Sequence, residues 1–306
     1  MDLVRAVVLG VVQGLTEFLP ISSTAHLRIV PALLGWDDPG AAFTAVVQLG
    51  TMAAVVLFFW RDLWRIVVAW LRSLRTPELR RDADARMGWY LIVATIPIAV
   101  FGFVFRDQIK TGARDLRIIG TTLILGGVFL LAAERAGRRR KDLDRLDARD
   151  GVGIGLAQSL ALVPGVSRSG STIGAGLFFG YTREAAARFS FLLSIPAVVL
   201  SGLFELKDIG GGGSYGAVPT AAGTLLAFVV GYASIAWLLR FLVRHSTAVF
   251  VGYRIAVGLL VLGLVAGGAL DAKPGKADRS AAGASARTAQ QDGERAATQG
   301  RGHSGR

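Results

Sequence analysis

The stretch GVVQGLTEFLPISSTAHLR, residues 10–28, sets an acid, a proline, several hydroxyls, a histidine and an arginine within a very apolar chain. A related stretch lies in the middle of the chain, where GLAQSLALVP (155–164) resembles GVVQGLTEFLP (10–20) with a one-residue gap. Clusters of hydroxyl side chains follow both stretches, ISST at 21–24 and GVSRSGST at 165–172. This similarity indicates an internal repeat in which each copy breaks at a proline and then presents polar groups.

Apolar blocks between and after these stretches predict a multi-pass membrane protein. The chain has 306 residues, of which 52% are hydrophobic and 18% are charged. Six stretches come near the ~20 apolar residues that a helix needs to cross a bilayer; they are 41–60, 88–105, 117–134, 184–206, 217–239 and 247–270. A soluble fold would have to bury all of these helices, so the composition favours an all-α protein of the cytoplasmic (inner) membrane.

The order of the predicted spans indicates an inverted-topology repeat. Three of them precede the second polar stretch, and an odd number of crossings inverts the second unit relative to the first. Broken helices that meet near the midplane are a known feature of such repeats. Each half of a broken element has ~12–17 residues and reaches about mid-membrane at ~1.5 Å per residue. We therefore predict two re-entrant helical hairpins, turning at Leu19-Pro20 and Pro164-Gly165, beside about six full transmembrane helices.

In domain terms, the pattern predicts one membrane-embedded domain, 1–270, with repeat units of about 1–134 and 151–270. From residue 271 onward the composition changes to Ala, Gly, Ser, Gln and mixed charges without periodicity. That change predicts a disordered tail over 271–306. Glu134 lies at the end of a predicted span, where we expect a solvated structural role.

The formal net charge of +12 does not indicate a nucleic-acid partner, because the arginines concentrate in two loops between predicted spans, 61–86 and 135–149. The positive-inside rule explains such clusters by membrane orientation alone. Two spans separate the loops, so both can be cytoplasmic. The chain has no cysteine, which excludes disulfides, thiolate chemistry and Cys-ligated metals.

The first polar stretch carries residues suited to acid–base chemistry. Gln13 and Glu17 are four residues apart and share a helix face, and a carboxylate within a membrane is a functional candidate by default. His26 lies beyond the turn, and folding back at Pro20 would bring it toward Glu17. Free N–H groups at the start of the second half-helix favour an anion. The hydroxyls there belong to Ser22, Ser23 and Thr24.

The second polar stretch repeats this arrangement and adds a fixed cation. Pro164 and Gly165 break the chain, and Ser167 is a candidate N-cap. Arg168 presents a planar fork suited to phosphate. Further hydrogen-bond donors are Ser169 and Thr172. Two helix N-termini and one arginine at a common midplane indicate a site for a highly charged anion, best fitted by phosphate or pyrophosphate.

At these residues the chain resembles the undecaprenyl-diphosphate phosphatases of the bacitracin-resistance family. The family's (E/Q)-x-x-x-E pattern corresponds to Gln13-Gly-Leu-Thr-Glu17 and continues as FLPISSTAH, and its PGxSRSxxT pattern corresponds to 164–172. Both patterns are complete, and the resemblance covers roughly residues 1–270. It implies a membrane enzyme that removes the terminal phosphate of undecaprenyl diphosphate on the outer face of the cytoplasmic membrane. This reaction would recycle the lipid carrier for peptidoglycan synthesis and give bacitracin resistance.

The resemblance also implies roles for single residues. Glu17, His26 and Arg168 would form the catalytic core, with Ser23 as candidate nucleophile. Phosphate ligands would be Ser22, Thr24, Gly165, Ser167, Ser169 and Thr172. A divalent cation, Mg²⁺ or Ca²⁺, would bind the pyrophosphate with Glu17 as protein ligand. Gln13 would be a second and weaker metal ligand, because its amide stands where the family pattern also allows a carboxylate.

The residues leave several questions open. Either Ser23 or a water molecule could attack the terminal phosphorus. A lipid-phosphate or anion transporter would share the inverted repeat and could use Arg168, but it would not need His26 and Glu17 beside that arginine. The sequence therefore favours an enzyme, and the resemblance implies that its partners are undecaprenyl diphosphate and membrane lipid. Isoprenyl chain-length preference and a homo-oligomeric state stay open.

Overall fold

The structure is a computed structural model that describes residues 3–105, 114–205 and 216–273. The side chains of 41–42 and 200–205 are not among those described. From residue 274 onward, the tail predicted over 271–306 lies outside the described residues. Its disorder therefore stays a prediction.

Eleven α-helices and three short 3₁₀ turns account for the regular structure in the described part of the chain, which confirms the predicted all-α class. The helices are α1 (Leu3–Phe18), α2 (Ser23–Leu33), α3 (Gly40–Phe58), α4 (Trp60–Arg75), α5 (Ala83–Val104), α6 (Leu116–Ala136), α7 (Ala148–Ser159), α8 (Arg168–Phe178), α9 (Arg183–Glu205), α10 (Ala217–Arg244) and α11 (Ala248–Ala266). The 3₁₀ turns are Pro77–Arg81, Leu143–Arg145 and Leu160–Leu162.

Four of these helices, α5, α6, α10 and α11, are long and apolar enough to cross a membrane. The bent pair Phe43–Phe58 and Trp60–Arg75, within α3 and α4, turns by 73° and is a candidate for a broken fifth span or for a re-entrant loop. Only 22% to 39% of the residues in the four apolar windows are buried inside the protein, so most of that apolar surface is left for lipid. The protein is thus a multi-pass membrane protein. The remaining predicted span, 184–206, corresponds to α9, which has 23 residues. Some of its side chains lie outside the described part, so its crossing of the membrane stays a prediction.

Close helix packing recurs in both halves of the chain. α1 packs along α10, and α7 packs along α5. A Cβ atom on Gly10 would lie 2.2 Å from the carbonyl oxygen of Gly223, and one on Gly155 would lie 2.3 Å from that of Ala94. Glycine permits these approaches, and close van der Waals packing drives helix association in membranes. The polar stretch of each half is thereby fixed against a long helix of the other half.

Polar side chains gather at one end of the helices. Asp38 accepts hydrogen bonds from Nε and Nη2 of Arg114, and its Oδ2 lies 3.4 Å from Nε of Arg28. The N–H of Leu116, the first residue of α6, donates to the carbonyl of Ala272 at 2.8 Å. The end of α2, the start of α6 and the segment after α11 therefore lie together.

A second polar cluster lies at the other end of α6. Glu134 accepts hydrogen bonds from Nε and Nη2 of Arg183, from Nη1 of Arg139 and from the hydroxyl of Thr247. Its side chain is only 8% exposed, so the predicted solvated role is wrong. Two side chains from distant parts of the chain, Arg183 and Thr247, and the nearby Arg139 replace water around the carboxylate. Because α6 has 21 residues, about 30 Å at ~1.5 Å per residue separates this cluster from the one at Arg28.

The loop after α6 is fixed at the same end as Glu134. Nζ of Lys141 donates to Oδ2 of Asp150 at 2.9 Å, and the Tyr181 hydroxyl donates to the same oxygen at 2.7 Å. Burial and the Asp150 carboxylate raise the pKa of Tyr181 well above its ordinary value, so this phenol remains a neutral donor. The contact holds the start of α7 beside the segment that follows α8.

Candidate active site

The first polar stretch forms a broken helix. α1 ends at Phe18 and α2 begins at Ser23, because Pro20 lacks an N–H and restricts the residue before it. Ser22 caps α2 with a left-handed φ of 77°, and its Oγ accepts from the N–H of Ala25 at 3.4 Å. The remaining free N–H groups of the first turn of α2 therefore face the break.

The second polar stretch breaks in the same way. α7 ends at Ser159 and α8 begins at Arg168. Ser167 caps α8 with a φ of 73°, and its Oγ accepts from the N–H of Gly170 at 3.1 Å, which confirms the predicted N-cap. Ser22 and Ser167 thus hold the same uncommon backbone conformation at corresponding positions. Such conformations cost about 1–3 kcal/mol each and cluster at functional sites.

The two breaks are in direct contact. Oγ of Ser169 donates to the carbonyl of Leu19 at 3.0 Å and lies 3.2 Å from Oγ of Ser167. Gly165 has a φ of 88°, and a Cβ atom there would lie 2.1 Å from Oγ1 of Thr122, so the turn requires glycine. The helix N-termini of α2 and α8 are therefore brought to one place, as the sequence predicts.

Glu17 is the centre of the site. Its Oε1 accepts a hydrogen bond from Nη2 of Arg168, and its Oε2 accepts from Oγ of Ser23 at 2.6 Å and from Nε2 of Gln13 at 3.0 Å. The side chains of Glu17 and Arg168 are 7% and 18% exposed, so this ion pair is largely removed from solvent. Residues from both polar stretches meet here, and the Ser23 hydroxyl lies within proton-transfer distance of a carboxylate.

His26 has different partners from those that its position in the sequence suggests. Its Nδ1 lies 2.7 Å from the carbonyl of Ser22, and its Nε2 lies 2.8 Å from the hydroxyl of Tyr253. A carbonyl only accepts, so Nδ1 carries a proton, and neutral His26 accepts from Tyr253 at Nε2. In the described residues Glu17 accepts from Ser23, Gln13 and Arg168, and His26 is not among its partners.

The remaining predicted ligands are placed unevenly. Thr24 is exposed, and its Oγ1 lies 3.1 Å from Oγ of Ser22. Thr172 is buried, its Oγ1 donates to the carbonyl of Arg168 at 2.8 Å, and it lies 2.6 Å from Oγ of Ser190. The hydroxyl of Thr24 is therefore available at the surface, whereas the hydroxyl of Thr172 is engaged between α8 and α9.

The protein offers few ligands for a divalent cation, which fits an ion that binds mainly to the phosphates of the substrate. No group of three His, Cys, Asp or Glu side chains that could hold a metal occurs within the part of the chain that the structure describes. Gln13 is 1% exposed, and its Oε1 has no hydrogen-bond partner among the described residues. One carboxylate, from Glu17, and one free amide oxygen match the few protein ligands that Mg²⁺ takes when phosphates complete its shell.

Two residues of α11 contact the site without having been predicted from the sequence. Tyr253 binds His26, and Arg254 donates to backbone carbonyls of both turns, including Pro20 and Gly165. Arg254 could have been found from the sequence, because it is a charged residue within the predicted span 247–270, and charged residues within membrane spans are functional candidates. Tyr253 had no such signal, since aromatic residues are common in membrane helices.

Comparison of the sequence with known proteins shows the family of the chain. A family model described as bacitracin resistance protein BacA matches residues 6–260. The chain belongs to the BacA family. A relative from Nocardioides sp. is 56% identical over 272 residues, which cover 89% of this chain and 99% of the relative. The matched residues 6–260 contain both helix breaks and the part of α11 that carries Tyr253 and Arg254. The BacA match therefore covers the candidate site.

Further relatives resemble the chain over similar lengths. One from Thermobifida fusca is 54% identical over 275 residues, or 90% of this chain and 94% of the relative. One from Mycolicibacterium smegmatis is 53% identical over 277 residues, or 89% of this chain and 100% of the relative. All three relatives are named undecaprenyl-diphosphatase.

Proposed function

We propose that the protein hydrolyses undecaprenyl diphosphate to undecaprenyl phosphate and inorganic phosphate. The observation that carries the proposal is the meeting of Ser23, Glu17 and Arg168 from two broken helices, in a BacA chain whose relatives are named undecaprenyl-diphosphatase. A hydroxyl held by a carboxylate, beside an arginine and two helix N-termini, fits attack on a phosphoryl group. The product would return to peptidoglycan synthesis as the lipid carrier, and its recycling would give bacitracin resistance.

The two broken helices would be re-entrant hairpins of an inverted repeat. In the proposed repeat α7 corresponds to α1, and α5 corresponds to α10. The packing agrees with this, because α1 packs on α10 and α7 packs on α5. Ser22 and Ser167 also cap their helices with similar φ values. The carbonyls of Pro20 and Gly165 bind Arg254 within α11, which runs between the two polar ends of the protein. These contacts support turns near mid-membrane, where irregular backbone is tolerated when protein surrounds it.

The diphosphate would bind where the two turns meet. One N–H of Arg168 is engaged by Glu17, and the rest of its guanidinium offers donors to phosphate oxygens. The positive ends of α2 and α8 would add attraction for the same anion. Hydroxyl donors would come from Ser22, Thr24, Ser167 and Ser169. Gly165 would shape the turn, and Thr172 would brace α8 against α9.

The proposed reaction begins with attack by Oγ of Ser23 on the terminal phosphorus, while its proton passes to Oε2 of Glu17 across 2.6 Å. The Oγ–P bond forms as the bond from phosphorus to the bridging oxygen breaks, and undecaprenyl phosphate leaves with that electron pair. Water then attacks phosphorus and the bond from phosphorus to Oγ of Ser23 breaks, while Glu17 returns its proton to the serine. His26 would take the proton of the attacking water through Nε2, where Tyr253 now donates, and would release it to solvent after phosphate leaves. If water attacks first instead, Glu17 would take its proton.

The proposed divalent cation would reach the site with the substrate. Glu17 and Oε1 of Gln13 would hold Mg²⁺ or Ca²⁺ on the protein side. When bound, the ion would neutralise charge on the phosphate oxygens.

The site would open to the outer face of the cytoplasmic membrane. The basic loops 61–86 and 135–149 would be cytoplasmic by the positive-inside rule, and Glu134 lies at their end of the protein. Arg28 of α2 lies toward the opposite end, where it pairs with Asp38 in the segment after α2. The first hairpin would therefore be entered from outside, with the isoprenyl chain left in lipid between helices.

A lipid-phosphate or anion transporter is the second candidate function. It is favoured by the exchange symmetry of the helix packing, because inverted repeats with broken helices are common in transporters. The short contact between Ser23 and Glu17 weighs against it, since a carrier needs no nucleophile.

The test is phosphate release by purified protein supplied with undecaprenyl diphosphate, with and without EDTA. We expect release, and we expect Arg168→Lys to lower it by ~10²–10³, because a point charge cannot replace the bidentate fork. Arg135→Lys, an exposed position at the end of α6, is the matched control and should keep the parent rate. Lipid movement across proteoliposomes without phosphate release would favour the transporter.

A further inference from the structure

Arg254 is a fully buried arginine, 0% exposed, whose hydrogen bonds in the described chain all go to backbone carbonyls. Its Nη1 donates to Pro20 in the first turn at 3.0 Å. Its Nη2 donates to Gly165 at 3.0 Å and to Val166 at 2.9 Å in the second turn. The guanidinium also donates to Leu123 and Thr122 of α6. One side chain therefore ties both turns to α6 and α11.

Among the described side chains, no carboxylate balances this cation. Arg254 forms no ion pair with any of them, whereas Arg168 is paired with Glu17. A buried charge without a partner is strongly unfavourable unless something offsets it. Because Glu17 and Arg168 offset each other, Arg254 leaves one net positive charge at the junction of the turns.

The neighbouring helices leave room for this guanidinium. A Cβ atom on Gly126 would lie 2.0 Å from Nη2 of Arg254, and one on Gly170 would lie 2.8 Å from Nη1. Gly170 belongs to the first turn of α8, whose N–H groups would face the diphosphate. The charge of Arg254 therefore lies directly behind the helix N-terminus that would bind the anion, where low-dielectric surroundings strengthen its field.

We propose that Arg254 is a positioning residue for the reaction: from inside the protein it fixes the spacing of the two turns and supplies the unbalanced positive charge that attracts the diphosphate. This inference rests on the proposed function. Arg254 would not touch the substrate, since each of its three guanidinium nitrogens already donates to a backbone carbonyl. Its guanidinium would set the geometry between Ser23 and Arg168, and its charge would set anion affinity.

The experiment compares Arg254→Lys, which keeps the charge, with Arg254→Gln, which removes it. Two quantities are measured per folded molecule: kcat for undecaprenyl diphosphate and the Kd of inorganic pyrophosphate by calorimetry. We expect both variants to lose on the order of 10²-fold in kcat, because a small misplacement of reacting groups has effects of that size. The Kd should stay near the parent value in the lysine variant and rise about tenfold in the glutamine variant.

A second pair of variants keeps Arg254 in the sequence. Gly126→Ala would push the guanidinium out of place, whereas Gly252→Ala in α11 meets nothing within 4 Å. We expect a fall in kcat for the first variant and the parent kcat for the second. This pair carries the test if Arg254→Gln does not fold.

A purely structural role predicts lower yield or melting temperature with parent kcat and Kd in the molecules that do fold, and that result would overturn the inference. The two proposals can fail separately. If the parent protein binds pyrophosphate in an Arg254-dependent way and releases no phosphate from the lipid, the proposed function fails while the anion-attracting role stands. If the parent protein is active and Arg254→Lys and Gly126→Ala turn over at its rate, the positioning role fails alone.

Discussion

Ser23 is the residue whose surroundings define the chemistry most sharply. Its hydroxyl donates to Glu17 at 2.6 Å, and the other oxygen of that carboxylate is held by Arg168. In the proposed reaction Glu17 would be the base for this serine, and Arg168 would be the neighbouring cation, which are groups that activate a nucleophilic hydroxyl. Ser23 is also the first residue of α2, so its side chain lies at the positive end of a helix.

The role of Ser23 can be tested by Ser23→Ala. If serine attacks, we expect turnover to be abolished while pyrophosphate binding survives, because Arg168 and the helix N-termini remain. Single turnover with substrate labelled in the terminal phosphate, quenched in acid, should leave label on the parent protein and none on the variant. Ser159→Ala makes the same change at the end of α7 and should keep full activity. Residual hydrolysis within ~10²–10³ of the parent rate, without labelled protein, would indicate attack by water instead.

Tyr253 is predicted to hold His26 for proton transfer. Tyr253→Phe removes the hydroxyl that donates to Nε2 of His26 and leaves the stacked rings, 5.6 Å apart, in place. We expect kcat to fall about three- to tenfold, the equivalent of one hydrogen bond. Tyr232→Phe on α10 is the control. Equal rates for the two variants in a phosphate-release assay would mean that His26 does not depend on this hydroxyl.

At the scale of the elements, the site depends on how two broken helices are supported. α1 and α7 lie against α10 and α5 through glycine contacts, so the first half of each broken helix is fixed by backbone packing. The second halves, α2 and α8, begin at serine caps in an uncommon backbone conformation. Tight packing around both turns is what can keep such strained caps in place.

Glycine contacts should therefore control stability at these helices. Gly10→Ala and Gly155→Ala would each drive a methyl group into a backbone carbonyl of the facing helix. We expect each to destabilise the protein by about 1–3 kcal/mol, as overpacking does elsewhere. Gly263→Ala, which meets nothing within 4 Å, is the control. Thermal unfolding in detergent should show lower melting temperatures for the first two variants, and three equal melting temperatures would contradict the packing argument.

At the scale of the whole molecule, two polar clusters mark opposite ends of the helices. Glu134, Lys141 and Arg183 lie at one end with the basic loop after α6, and Arg28 and Asp38 lie at the other. The positive-inside rule assigns the basic end to the cytoplasm. The proposed orientation of the active site follows from this separation.

The absence of native cysteine makes the orientation directly measurable. Asp37→Cys, between α2 and α3, and Asp144→Cys, in the basic loop, each introduce a single thiol at an exposed position. A membrane-impermeant maleimide should label position 37 in intact cells and position 144 only after permeabilisation. The reverse pattern would place the active-site opening on the cytoplasmic face.

Much of this protein is determined by sequence alone because its signals are local. Apolar stretches of span length predict membrane helices, and proline followed by hydroxyl residues predicts both helix breaks. The cap at Ser167, the all-α class and the candidate residues Glu17 and Arg168 follow from composition and spacing within short segments. The matching polar stretches also indicate that both breaks serve one site.

Contacts between distant segments were decided only by the tertiary structure. Whether Glu17 meets Ser23 or His26 depends on how α2 leaves the turn and on Tyr253, which is far away in the chain. Glu134 is buried and not solvated because Arg183 of α9 and Thr247, which precedes α11, come from distant parts of the chain. Hydrogen bonding of a buried polar group depends on three-dimensional neighbours, and residue spacing along one helix does not specify which neighbours those are.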